Sequence, residues 1–170
     1  GNTLDYCAAM DQAILTSKDA ETEFVKQIQE WKNILLRGHV AEDFQKHQAA
    51  FDKQEKAVQT LLTSLQGLIK DLGLDIAPVA KLATTHTELG AKYHDALKSY
   101  SQTNAEAAKI VDRLVKGMDR PVTDAFETAI ASVKKAEEKM KAIETALDRQ
   151  AMEVCRVSQQ KVETLIGKLE

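Results

Sequence analysis

The residues best equipped for chemistry gather in two places. Trp31, the one tryptophan of the chain, stands beside Lys32 and Asn33, with Arg37 just before Gly38. Arg113, Lys116 and Arg120 form a second basic set. Arginine offers a forked pair of donors, and a helix N-terminus offers free N–H groups. Trp31, Lys32, Arg37 and Arg120, with His39 nearby, therefore suit a carboxylate or another small anion. The competing reading keeps Trp31 as plain core and the charges as a solvated helix end, because a tryptophan at a stripe position is most often packing.

Other chemistries find little support. No Gly-rich phosphate loop and no hydrolase or kinase motif is present, and no nucleophile stands paired with a base. The expectation is therefore a protein that is not an enzyme and needs no cofactor. Di-iron bundles need Glu-x-x-His pairs, and c-type haem needs Cys-x-x-Cys-His; the chain has neither. His39 and His47 are eight residues apart, as are His86 and His94. Two helical turns separate each pair by roughly 12 Å, too far to share a metal. His47 and His86 read as core-edge histidines, each with a local hydrogen-bond partner.

The elements that must hold these residues are helices. Apolar residues make up 44% of the 170 residues, enough for a core, and the few Gly and Pro residues leave long stretches unbroken. A net charge of -3 gives no electrostatic case for nucleic acid. No run of uninterrupted apolar residues is long enough to span a membrane, and there is no cleavable leader. The outer helices run to the edges of the sequence, as in a piece cut from a longer protein.

Taken in order, the first helix is expected over about 4–37. Its stripe is Leu4, Cys7, Ile14, Phe24, Ile28, Trp31 and Leu35. Its middle, Ser17–Glu23, is polar and predicts looser packing or a face for a second subunit. Gly38 suits a left-handed C-cap. The second helix, about 40–72, repeats Phe44, Phe51, Val58, Leu65 and Leu72 every seven residues, which predicts shallow left-handed packing. Gly73 closes it. Asp75 suits an N-cap and Pro78 a first turn, opening a third helix over about 76–101. Thr103 and Glu106 read as a capping box for a short helix over about 105–116, closed by Gly117. Asp119 and Pro121 open the last helix, about 120–169, roughly 75 Å long and longer than its neighbours.

The fold class is all-α: an up-down-up-down four-helix bundle with a short extra helix, forming a single domain over 1–170. Residues near 38 and 120 then share one pole, and both termini share the other. On these levels Cys7 and Cys155 differ by roughly 6 Å along the axis. A bridge between them and two free thiols acting as small core residues both stand open, and the bridge needs an oxidising compartment.

The run Gln27-Ile-Gln-Glu-Trp-Lys-Asn-Ile-Leu-Leu-Arg-Gly38, followed by an acidic-aromatic second helix, resembles the sensory domains of bacterial methyl-accepting chemotaxis receptors. Lys116-Gly-Met-Asp-Arg-Pro121 is similar as well. The likeness spans most of the chain from about Phe24. It implies a periplasmic bundle set between two membrane helices of an inner-membrane protein. It also implies a homodimer with a small-molecule site near the membrane-distal pole, built from the first and last helices. Two other readings stand beside it: a structural or partner-binding bundle, and a thiol redox sensor using Cys7 and Cys155.

Overall fold

The computed structural model describes residues 2–169 and their side chains from Asp5 onward, so Gly1, Glu170 and the side chain of Leu4 lie outside it. Five helices follow one another: α1 (Asn2–Arg37), α2 (Ala41–Asp71), α3 (Ala77–Leu97), α4 (Ala107–Val115) and α5 (Arg120–Leu169). No strand occurs among the described residues. α1 packs on α2 and α5, and α3 packs on the same two, so the four long helices close a ring. α4 rests on α1 and α3.

The buried line of α1 differs from the expected stripe. It runs through Met10, Ala13, Ser17, Ala20, Phe24, Gln27, Trp31 and Ile34. These positions alternate by three and four, the spacing of a seam between helices. Cys7, Ile14, Ile28 and Leu35 lie at its edge. The polar middle is therefore not loosely packed. Ala13, Ser17 and Ala20 are small enough for close approach, and the Ser17 hydroxyl donates back to the Ala13 carbonyl at 2.7 Å. On α2 the heptad holds: Phe51, Val58, Leu65 and Leu72 are buried, with Leu62 and Ile69 between them.

Polar side chains tie the first three helices together. His86, wholly buried, donates from Nε2 to Gln27 Oε1 at 2.7 Å. Its Nδ1 accepts from the Gln59 amide, which also reaches Thr87. This chain joins α1, α2 and α3 through the core and holds the imidazole neutral; burial lowers its pKa to about 4. His47 donates to Glu30 at 2.7 Å between α2 and α1. His94 donates to Glu55 at 3.0 Å between α3 and α2. Gly90 leaves room for this pair, since a Cβ there would displace the Glu55 carboxylate. The Tyr6 hydroxyl donates to the Leu72 carbonyl at 2.8 Å and closes the far end.

The turns hold four corrections. Gly38 does not take a left-handed conformation; only Gly73 and Gly117 have positive φ among the described residues. What Gly38 supplies is space, since a Cβ would meet the Ile34 carbonyl and lie 3.0 Å from both Phe44 and the Tyr100 hydroxyl. The start of α4 is set by Asn104, whose side chain accepts from the Glu106 N–H at 2.9 Å, and not by a box from Thr103. α3 stops at Leu97, four residues early, in a run of short turns. Asp75 stands one residue before the N-cap position, which Ile76 takes, and its side chain accepts from the Ala77 N–H at 3.0 Å.

Candidate functional site

The level of α5 against α1 decides what the basic residues can do together. Phe24 packs on Phe126, with ring centroids 5.6 Å apart. The Cys7 thiol reaches toward Glu144, at 4.0 Å. α5 therefore starts opposite residues 30–32 of α1, and α1 runs on for nearly two more turns. α4 fills the place above the start of α5, with Ala107, Val111 and Val115 buried beneath it. Arg37 and Arg120 consequently lie about 10 Å apart along the axis. Both are exposed, as are Arg113 and Lys116, and none of the four lines a cavity described here.

Trp31 belongs to the core. It is 3% exposed, and its ring stacks at 4.6 Å on Tyr93 and 6.2 Å from Phe51. Its indole N–H and the Gln27 amide nitrogen, one turn away, are buried without a hydrogen-bond partner among the described residues. Lys32 is the one predicted residue that reaches a cavity.

That cavity is a groove of about 260 Å³ between α1 and the start of α5. Phe24, Ile28 and Phe126 form its apolar floor, and Val25 its exposed rim. Lys32 and Gln29 enter from α1 near its upper end. Asp119, just before α5, and Thr123, in its first turn, enter from the other side, and Glu21 closes the lower end. The Asp119 carboxylate is also felt in the core: burial first, then Asp119 and Asp112, push the Tyr93 phenol well above its usual range. Sequence reasoning saw Asp119 only as a helix cap. Its place in the groove depends on where α5 starts relative to α1, which periodicity along one helix does not carry.

Cys7 and Cys155 are both free. Of the two readings left open, register favours free thiols: Cys7 faces Glu144, and Cys155 lies eleven residues, about 16 Å, further along α5. Among the described residues no group of three metal-ligating side chains gathers, and no helix is long and apolar enough to cross a membrane.

The chain is 34% identical over 114 residues to the methyl-accepting chemotaxis protein CtpH of Pseudomonas aeruginosa. The match covers 65% of this chain and 19% of that protein, so the chain spans about a fifth of its relative. No family model matches the chain, and no solved structure does. The described residues are all helical, and the likeness is to one stretch of a chemotaxis receptor.

Proposed function

We propose that this chain is the sensory domain of a chemotaxis receptor: an up-down-up-down bundle outside the inner membrane that binds a small molecule in the α1/α5 groove and catalyses no reaction. It works as a homodimer in a receptor anchored in the membrane at both ends of the domain. Ligand in the groove favours one position of α5 over another, and that displacement is the signal. A ligand shifts such an equilibrium only by binding the two positions unequally. Supporting this, the two walls of the groove are α1 and α5 themselves, the elements whose relative position would change.

The observation that carries the reading is the contrast in how the helices are held. Every interhelical side-chain hydrogen bond described above joins α1, α2 and α3, apart from the long Cys7–Glu144 contact. α5 is held by Val122, Ala125, Phe126, Ala129 and Val133, apolar side chains with no directional bond to break.

A thermal-shift screen of small organic acids, amines and amino acids tests this. A ligand at a hundred times its dissociation constant adds about 2.7 kcal/mol. Calorimetry should then show binding lost in Val25→Trp, at the exposed rim of the groove, and unchanged in Arg37→Ala and Arg120→Ala. A spacer or partner-binding bundle predicts no stabilisation by any compound, and that result ends the sensing proposal.

A further inference from the structure

The charges of the groove point to the kind of molecule it takes. Lys32, Asp119 and Glu21 all line it, and none has an ion-pair partner among the described residues. They are not equivalent. Asp119 and Glu21 are half-buried on short stems, while Lys32 is exposed on a four-carbon stem that can carry its charge into solvent. The charges held in the groove are thus negative. The helix N-terminus does not reverse this, since Asp119 already occupies the positive end of α5 and Pro121 removes one of its N–H groups. A bound carboxylate would sit beside a like charge at either end, which disfavours it. An ammonium group would meet a carboxylate at either end of the groove, and its apolar body would lie along the floor formed by Phe24, Ile28 and Phe126.

We propose that the groove selects a small organic ammonium ion with an apolar body. This rests on the reading of the groove as the ligand site. Three probes with one body and different charges test it by calorimetry: phenethylammonium, phenylalanine and 3-phenylpropionate. The ammonium ion should bind at least tenfold tighter than the carboxylate. Asp119→Asn should weaken it about tenfold, and Lys32→Ala should leave it unchanged or tighter. Val25→Trp, at an exposed rim position, should fill the groove and abolish binding. If 3-phenylpropionate binds more tightly and Val25→Trp removes it, the charge selection is wrong and the groove remains the site. If no probe binds, or binding survives Val25→Trp, the groove reading falls as well.

Discussion

The α1–α2–α3 unit and α5 are held by different physics. In the first, hydrogen bonds from His86, His47, His94 and Tyr6 fix one register, because each needs its partner within about 3 Å. In the second, apolar contacts fix proximity but leave position along the axis softer, since dispersion is not directional. One domain thus contains a keyed frame and an unkeyed rod. The lesson is that polar bonds key three of the helices to one another, while α5 is held by the shape of its apolar side chains.

Several substitutions sharpen or break this contrast. The largest effect is expected for Phe126→Ala, which removes the anchor of α5 on Phe24. It should cost about 3–5 kcal/mol in urea unfolding. A loss under 1 kcal/mol would mean that α5 is held elsewhere. Acid should be nearly as damaging to the frame. The unfolded chain takes up a proton at His86 below pH 6.5, and the folded chain refuses it until about pH 4. Stability from this group is therefore complete above 6.5 and lost as the pH falls to about 4, a change of roughly 3 kcal/mol. His86→Leu should flatten that slope, and an unchanged slope would show that other groups carry it. Tyr6→Phe removes one key and should cost about 1 kcal/mol. At the small end, an oxidant should leave both thiols titratable in the monomer; an intrachain bridge between Cys7 and Cys155 would contradict the register of α5 against α1.

Much of the frame is legible before any coordinates. The heptad from Phe44 to Leu72 is long and strictly spaced, and the stripe of α3 from Val79 to Tyr93 is buried throughout. His47 and His86 each find a hydrogen-bond partner, on another helix rather than locally, and His86 lies within the core rather than at its edge. α1 is harder to read, because its buried line uses Ala13, Ser17, Ala20 and Gln27, residues that look like surface when hydrophobicity is the guide. The site is harder still. Trp31 sits on a legible stripe and turns out to be core, while Asp119 reaches the groove because α5 starts level with residues 30–32 of α1, short of its end. Levels set by a neighbouring helix leave no periodic trace in the helix they act on.

Beyond Met140 almost every side chain of α5 is exposed through Leu169, so the helix continues as a nearly bare shaft. Such a shaft converts angle into travel. It extends about 43 Å past Met140, and a tilt of about 5° at that fulcrum carries its tip sideways by about 4 Å. Changes too small to disturb the packing around Phe126 would thus arrive at the tip as movements the size of a side chain.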